Sequence, residues 1–324
     1  MGSFSLLGEK RHILTVIVFD NEAVRGIIMK KLIFSVLGGD ARQCSLAERL
    51  MREGGEVCCY GLPREKMHKD INVFSSWQEA LVDVDVVILP LPASPDGVRV
   101  HMPLAQGEEV PLLKEIFARI PTGTFLAGGR FSPCVKALAE EYGHVLFDYA
   151  ESEEFKKQNA LPTAEGAVQI LMERMSRTVS GLSVAITGYG RVAKALARLL
   201  HAMGAHVTIG ARKPMALAEA ACEGYAILRL KGDKSVMTLC EGQAVIFNTV
   251  PHWLFNKEVL RTIPKETPLI DLASAPGGID VDAAGALGLS VIWALALPGK
   301  YAPVTAGEII ADTVLSQMRR EDLL

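Results

Sequence analysis

The sequence predicts an α/β protein with two Rossmann-like, doubly wound domains and a cleft between them. Three observations support this fold class. A strand–glycine–helix–strand pattern occurs twice, and the 324 residues are enough for two domains that each bury a core. Hydrophobic residues make up 49% of the chain, aromatic residues only 6%, and 29 residues are glycine. This composition is typical of compact α/β proteins.

The second of the two patterns has the outline of a dinucleotide-binding βαβ unit. An apolar strand over 184–187 leads into a GxGxxA turn over 188–193, and an Ala/Leu-rich helix and a second strand follow. Gly188 permits the tight turn, Gly190 lets the backbone approach a pyrophosphate, and Ala193 lets the helix pack on the strand. The helix N-terminus offers N–H groups to the phosphates. The alternative is a glycine-rich turn that binds nothing.

The end of the second strand indicates which dinucleotide binds. NAD sites usually place an acid there for the ribose 2′-hydroxyl, whereas NADP sites place an Arg nearby for the 2′-phosphate. No acid occupies 208–213, and this segment ends with Arg212 and Lys213. We therefore predict NADP as the cofactor, with a solvated loop residue as the alternative role of Arg212.

In an open parallel sheet, ligands bind outside the carboxyl ends of the strands. The residues that follow the strands of the second domain are therefore the candidates for cofactor binding. They are Gly188, Tyr189, Gly190, Arg191, Val192, Arg212, Lys213, Asn248, Thr249, Val250, Pro251, Leu272 and Ala273.

The first pattern begins with a strand over 32–37 and a glycine turn over 38–43, and predicts a helix over about 45–53. Its turn is degenerate as a nucleotide motif, because Asp40 and Arg42 replace the small residues that a pyrophosphate would need close by. We interpret this half as a Rossmann-like domain whose turn binds something other than a nucleotide.

The chain divides into an N-terminal extension over 1–28, a substrate domain over 29–158 plus 305–324, and an NADP-binding domain over 159–304. We expect the last helix, over about 306–319, to cross back to the first domain. Residues 1–28 are either an extra strand and helix or the result of a start placed too early. The second is favoured, because an ordinary Rossmann first strand begins just after Met29.

The cleft between the domains has several basic residues and few acids. Arg42, Arg130 and Lys300 each follow a strand end on one side or the other. A guanidinium fork matches a carboxylate bidentately, so this cleft suits an anionic substrate. The alternative role of each base is a helix cap, a salt bridge or a solvated loop position. Asp40 and Arg42 could simply brace their turn.

Few groups for proton transfer stand out. Glu165 lies near the start of a helix that we expect to be capped by Thr163 and to run to about Arg177, linking the domains. We include Glu165 among the catalytic candidates, with compensation of the helix dipole as its alternative role. His252 follows a strand end and could act as an acid or base. We expect His101 on a solvated loop.

Composition excludes several classes of function. A net charge of −3 provides no basic field for nucleic acid or an anionic membrane. The apolar run 13–19 is too short to span a membrane, and no convincing secretory signal is present. The six cysteines form no CxxC pair, which favours a reduced, cytoplasmic setting. No His/Cys cluster has metal-ligand spacing and no Ser-His-Asp arrangement is found, so we predict no metal.

With these residues in view, the chain resembles the dipicolinate synthase A-subunit family of spore-forming bacteria over about 30–320. The glycine turn alone is common to many dehydrogenases, but the first, second and last of the matching stretches are together specific. The stretches are 38–43, 159–166, 188–193 with 210–212, 248–251, 271–278 and 297–307.

The resemblance implies an NADP-dependent oxidoreductase that acts on a CH–CH donor. Its substrate would be a dihydrodipicolinate-type intermediate from the lysine pathway, oxidised to dipicolinate (pyridine-2,6-dicarboxylate) during sporulation in the cytoplasm of the mother cell. It also implies a flavoprotein-like partner, the B subunit of dipicolinate synthase, and we expect an oligomer. Such a site need only orient two carboxylates, present NADP and supply a modest base or water.

Two alternatives remain open at this point. One is a two-domain 2-hydroxyacid or amino-acid dehydrogenase, although no well-placed His–acid pair is found. The other is a non-catalytic nucleotide-binding scaffold for a partner enzyme.

Overall fold

The computed structural model describes residues 31–324, and the expectations for residues 1–28 lie outside this range. The chain divides into two units, and Leu32–Leu324 form the second. The second unit contains two six-stranded parallel sheets with helices on their faces.

The first sheet comes from the N-terminal half of the second unit. Its strands are β1 (Ile33–Leu37), β2 (Glu56–Tyr60), β3 (Asn72–Val73), β4 (Val86–Ile88), β5 (Phe125–Gly128) and β6 (Leu146–Asp148). Its helices are α1 (Ala41–Arg52), α2 (Leu113–Arg119) and α3 (Pro133–Glu141). The strand order is β3-β2-β1-β4-β5-β6, which reverses direction between β1 and β4 as in a doubly wound Rossmann sheet.

Two helices, α4 (Glu153–Gln158) and α5 (Ala160–Arg174), lead to the second sheet. Its strands are β7 (Ser183–Thr187), β8 (His206–Ala211), β9 (Ala226–Arg229), β10 (Val245–Asn248), β11 (Leu269–Asp271) and β12 (Val291–Trp293). Its helices are α6 (Arg191–Ala202), α7 (Pro214–Cys222), α8 (Asp233–Cys240), α9 (Lys257–Leu260) and α10 (Val281–Leu287). The order β12-β11-β10-β7-β8-β9 repeats the Rossmann arrangement, which confirms the predicted fold class.

The C-terminal helix crosses back to the first domain, as predicted. After β12 the chain forms α11 (Leu297–Tyr301) and α12 (Pro303–Arg320). Ile310 and Val314 of α12 are fully buried in the same core as Leu46 of α1. Arg49 of α1 donates to Asp312 of α12 at 3.0 Å, which adds a partly exposed ion pair to the apolar contact.

A glycine allows α12 to approach α1 closely. A Cβ atom on Gly307 would overlap the carbonyl oxygen of Arg42 and would lie 2.8 Å from the Cβ of Ser45. Because these neighbours belong to the backbone and first side-chain atoms of α1, they cannot move aside without shifting the helix. The two helices therefore pack backbone against backbone at this point.

The starts of two helices differ from prediction. Helix α1 begins at Ala41 and not near Ser45, because the Asp40 carboxylate accepts the Arg42 N–H and Gln43 accepts the Asp40 N–H. Helix α5 begins at Ala160, before the predicted cap, and the Thr163 hydroxyl instead donates to the Asn159 carbonyl at 2.7 Å. The segment 297–300, which follows the last strand, forms α11.

No helix among the described residues has the length and apolar content needed to cross a membrane. The division into a substrate domain over 29–158 plus 305–324 and an NADP-binding domain over 159–304 stays a prediction.

We predict that Gly307→Ala lowers the free energy of unfolding by about 1–3 kcal/mol, because the added methyl forces α12 away from α1. Gly285→Ala is the matched control, since Gly285 lies in α10 and a Cβ there would meet nothing within 4 Å. That change should be neutral or stabilising by up to about 1 kcal/mol. Urea unfolding measures both, and equal stability of the two variants would contradict the close packing.

Candidate functional site

The predicted dinucleotide turn lies where the second sheet reverses its strand order, between β7 and β10. Gly188 follows β7 with φ +85°, a conformation that side chains other than glycine rarely adopt. A Cβ there would lie 2.7 Å from Thr249 Oγ1 and 2.9 Å from Val250 Cγ2. Gly188 is therefore required to bring the loops after β7 and β10 together.

Gly190 has a different role, because open space surrounds it. It precedes the first residue of α6 with an ordinary φ of −87°, and a Cβ on it would meet nothing within 4 Å. The first N–H groups of α6 border this space, and Val192 is half-buried beside it. Ala193 is fully buried against the sheet. These residues fit the pyrophosphate of a dinucleotide, which needs both the open space and the helix N-terminus.

The loop after β10 is fixed from inside the protein. The fully buried Asn248 accepts from the Thr187 hydroxyl at 2.6 Å and from the Val250 N–H at 3.1 Å. Its amide nitrogen donates to Asp271 at 2.8 Å. The Thr249 hydroxyl donates to the Thr187 carbonyl at 2.7 Å. The side chains of Asn248 and Thr249 are thus occupied, and the backbone of this loop with the exposed Pro251 remains for a ligand.

Asp271 joins the loops after β10 and β11. Its carboxylate accepts from Asn248, from the Ala273 N–H at 2.9 Å and from the Gly278 N–H at 2.8 Å. The Leu272 N–H donates to the Asn248 carbonyl at 2.8 Å, which holds Leu272 and Ala273 next to the neighbouring loop. Asp271 is only 2% exposed, so it braces the site and does not face a substrate.

The carboxyl end of β8 is positively charged. Arg212 and Lys213 are exposed, and neither forms an ion pair with an acid of residues 31–324. The neighbouring strand contributes Arg229, whose backbone lies opposite Ala211 in the register, and the exposed Lys231 follows. This edge suits an additional phosphate on the adenosine ribose.

Two residues of the glycine turn have side-chain partners in the protein. The Tyr189 ring is buried and packs edge-on against Tyr225 with 6.2 Å between centroids, and burial raises the pKa of its hydroxyl. Its backbone remains available to a cofactor, so cofactor binding by Tyr189 stays a prediction for the backbone. Arg191 forms an ion pair with Glu153 of α4.

In the first domain, the Arg42 side chain is bonded to other groups of the protein and is not available to the predicted substrate. Its guanidinium forms an ion pair with Asp40 at 2.8 Å and donates to the Leu91 carbonyl at 2.6 Å. Burial alone would raise the pKa of Asp40, but the hydrogen bonds and charge of Arg42 outweigh it and lower that pKa. The Arg42 side chain is 8% exposed. Arg42 is therefore a brace for its turn, and the expectation that it binds a carboxylate is corrected.

The crevice of the first sheet is filled by side chains of the protein itself. A Cβ on Gly38 or on Gly61 would overlap Met102, which occupies the space beside the first glycine turn. A Cβ on Gly299 of α11 would lie 2.9 Å from Nε of Arg42. The position in the first domain that corresponds to the open space at Gly190 is thus closed by Met102 and Arg42.

His101 was not predicted as a site residue from the sequence. The backbone N–H of His101 donates to the Ala93 carbonyl at 3.0 Å, and the His101 carbonyl accepts from the Gly39 N–H at 2.8 Å. These bonds hold His101 at the carboxyl edge of the first sheet. Partial burial lowers the pKa of His101, the Asp40 carboxylate opposes this, and the charge of Arg42 adds to it. Because His101 follows no strand directly, only the length of the loop between β4 and α2 could have signalled it.

Arg130 and Lys300 are both exposed, as a role in substrate binding requires. Arg130 follows β5 with φ +57°, and its N–H donates to Asp148 at 3.0 Å, which fixes the turn. The ammonium group of Lys300 lies 4.9 Å from the centre of the Tyr301 ring. Neither side chain forms an ion pair with another described residue.

Glu165 lies away from the ends of the strands. It lines a groove of about 460 Å3 between α5 and α6, together with Met172, Leu199 and Met203. Leu199 is near the C-terminal end of α6, whereas the glycine turn precedes its N-terminus. The expectation that Glu165 is catalytic is therefore corrected. Among residues 31–324, no cluster of three or more metal-ligating side chains is present.

Comparisons with known proteins match each half of the chain. Residues 33–150 match the N-terminal domain of the dipicolinate synthase A subunit, and residues 163–286 match the NAD binding domain of S-adenosyl-L-homocysteine hydrolase. The second match indicates a nicotinamide dinucleotide as the cofactor.

Three matches, from two species, cover nearly the whole chain. The dipicolinate synthase A subunit of Bacillus subtilis (strain 168) is 29% identical over 296 residues, which cover 89% of this chain and 95% of that protein. The crystal structure of the same subunit from Bacillus subtilis is 27% identical, with a TM-score of 0.79 over 90% of this chain and 97% of that one. The crystal structure of the A subunit from Bacillus halodurans is also 27% identical, with a TM-score of 0.81 over 89% and 97%.

We predict that Gly190→Ala weakens dinucleotide binding by at least about tenfold, since the methyl would fill the space next to the helix N-terminus. Its thermal midpoint should match the wild type, because the added Cβ meets no protein atom. Gly188→Ala should instead lower the thermal midpoint, because of its positive φ and its contact with Thr249. Cofactor titration and thermal unfolding measure the two effects. A Gly190→Ala protein with unchanged affinity would place the cofactor elsewhere.

Proposed function

We propose that this chain, which is similar to dipicolinate synthase A subunits over most of its length, oxidises a dihydrodipicolinate-type dicarboxylate to dipicolinate with NADP. The observation that carries the proposal is the open space at Gly190, next to a strand β8 that ends in two cations and no acid. An NADP cofactor bound there would direct its 2′-phosphate toward Arg212 and Lys213.

We assign substrate binding to Arg130 and Lys300. Both are exposed, and one follows β5 of the first sheet while the other lies just beyond β12 of the second. Two cations from opposite sides match the two carboxylates of a pyridine-2,6-dicarboxylate skeleton. With Arg42 occupied by Asp40, these two remain from the basic residues predicted for the cleft.

We assign the role of proton acceptor to His101. Oxidation of the dihydropyridine removes a hydride from one ring carbon and a proton from another position, and the ring becomes aromatic. When bound, the nicotinamide ring supplies the hydride acceptor. The neutral imidazole of His101 takes the proton, and Arg130 and Lys300 hold the carboxylates so that the ring has one orientation. The lowered pKa of His101 supports this role, because the imidazole is then neutral at neutral pH.

The partners and the setting complete the proposal. The A-subunit designation of the relatives supports a partner subunit, and we propose that this partner is the flavoprotein-like B subunit within an oligomer. The relatives' name also supports a role in sporulation. The lysine-pathway origin of the substrate and the cytoplasm of the mother cell stay predictions from the resemblance.

Formation of NADPH, followed by its absorbance, tests the activity. Purified protein with NADP and enzymatically generated dihydrodipicolinate should form NADPH and dipicolinate in equal amounts. The reaction is run with and without the B subunit. Turnover of 2-hydroxy acids or amino acids instead would favour the dehydrogenase alternative. Cofactor binding without turnover, even with the B subunit present, would favour the scaffold.

Arg212→Asp is predicted to weaken NADPH binding by roughly tenfold or more, because a charge-assisted hydrogen bond to the 2′-phosphate contributes about 1.5–3 kcal/mol. NADH binding should change little, since NADH carries no phosphate at this position. Fluorescence titration with each cofactor provides the comparison. An equal loss of affinity for both would show that Arg212 does not bind the 2′-phosphate.

Histidine substitution gives a prediction about pH. Since the pKa of His101 is lowered, the neutral imidazole persists below the ordinary histidine value of about 6.5. The acidic limb of the wild-type kcat/KM profile should therefore lie at a lower pH than an ordinary histidine would give. His101→Asn should reduce kcat/KM by about 100-fold and remove the acidic limb of the profile.

His252→Asn is the matched control for the pH experiment. His252 is exposed in the turn after β10, and we expect its replacement to leave the profile unchanged. Loss of the acidic limb in this variant, with normal behaviour of the His101 variant, would move the proton acceptor to the second domain.

A further inference from the structure

The first residue of α6 has a partner outside the second sheet. Arg191 directly follows Gly190, and its guanidinium forms an ion pair with the Glu153 carboxylate at the start of α4. The Arg191 side chain is 45% exposed and that of Glu153 is 64% exposed. The pair is therefore accessible to a ligand that enters the open space at Gly190.

The next residue of α4 makes a different connection. Glu154 accepts from Ser316 at 3.1 Å and from Arg320 at 3.0 Å, both in α12. Helix α4 is thus connected through Glu153 to the glycine turn and through Glu154 to α12. Because the two glutamates are adjacent but have different partners, substitutions at Glu153 and Glu154 can be compared directly.

A bound dinucleotide would change the electrostatics at Arg191. Its pyrophosphate carries negative charge next to the first turn of α6, where the Glu153 carboxylate also lies when it is paired. Two anions at this position repel each other, and a guanidinium forms its bidentate contact with one of them at a time.

We propose that Arg191 exchanges Glu153 for the cofactor pyrophosphate, so that Glu153 is a positioning residue that sets the affinity for the cofactor. The inference rests on the proposed cofactor site and adds a residue of the interdomain helix to it. In the cofactor-free protein the Glu153 carboxylate neutralises Arg191 and holds α4 against the glycine turn. Cofactor binding breaks this tie and leaves the connection of Glu154 to α12 in place.

A consequence is that cofactor binding and the attachment of α4 are coupled. Because coupling between two equilibria is reciprocal, a change that weakens the pair must strengthen cofactor binding by the same free energy. The effect should diminish at high salt, since both side chains are about half exposed.

The test compares Glu153→Gln with Glu154→Gln by fluorescence titration with NADPH at low ionic strength. We expect roughly threefold or tighter binding by Glu153→Gln, as is reasonable for one exposed charge contact. Glu154→Gln should bind like the wild type, because its partners lie in α12. The Arg191→Gln variant should bind NADPH more weakly than the wild type. Adding Glu153→Gln to that variant should raise the NADPH affinity by a smaller factor than Glu153→Gln does in the wild type. Thermal midpoints of all variants verify that they are folded.

Unchanged or weaker NADPH binding by Glu153→Gln, while the wild type binds normally, would overturn the exchange and leave the proposed function intact. An equal gain from Glu154→Gln would overturn it as well, because the effect would then be one of net charge. If the wild type bound neither NADPH nor NADH, the proposed function and this inference would both fail.

Discussion

The ion pair between Asp40 and Arg42 is the contact on which the first glycine turn and its packing against α11 depend. It closes the first glycine turn, holds the Leu91 carbonyl and forms the surface on which Gly299 packs. One residue pair therefore caps α1, fills part of the first crevice and fixes the return of the chain from the second domain. Because Arg42 is almost fully buried, removing its partner would leave an unpaired charge, which is costly.

The two sheets have the same strand order, but the crevice at the switch point is filled in the first sheet and open in the second. In the first sheet, Met102 and Arg42 fill the crevice beside the switch point. In the second sheet, Gly190 leaves the equivalent position open, and the buried network of Thr187, Asn248 and Asp271 holds its walls. Such a network is preorganised, so a cofactor finds its backbone contacts in place. The two halves can thus share one fold and perform different tasks.

Local patterns predicted most of the fold. Strands β1 and β2 and the glycine turn followed from apolar runs and glycine spacing, which depend on neighbouring residues. The crossing of α12 followed from its place after the last strand of the second sheet, as in two-domain dehydrogenases. The contacts of Arg42 and the placement of His101 did not follow from the sequence, because they depend on residues that are distant in the chain. Arg42 contacts Leu91 and lies beside Gly299, and the His101 carbonyl accepts from the Gly39 N–H. Glu165 was misplaced for a related reason. Its helix begins three residues before the expected cap, and its face packs beside α6 and not toward the cleft.

The stoichiometry of cofactor binding tests this division of tasks most directly. Isothermal titration of the purified protein with NADPH should give one site per chain, because among the described residues only the second sheet offers open space at its glycine turn, while the first is closed by Met102 and Arg42. Gly190→Ala should abolish or greatly weaken that single site. Two equivalent sites per chain, or one site that survives Gly190→Ala with full affinity, would contradict the account.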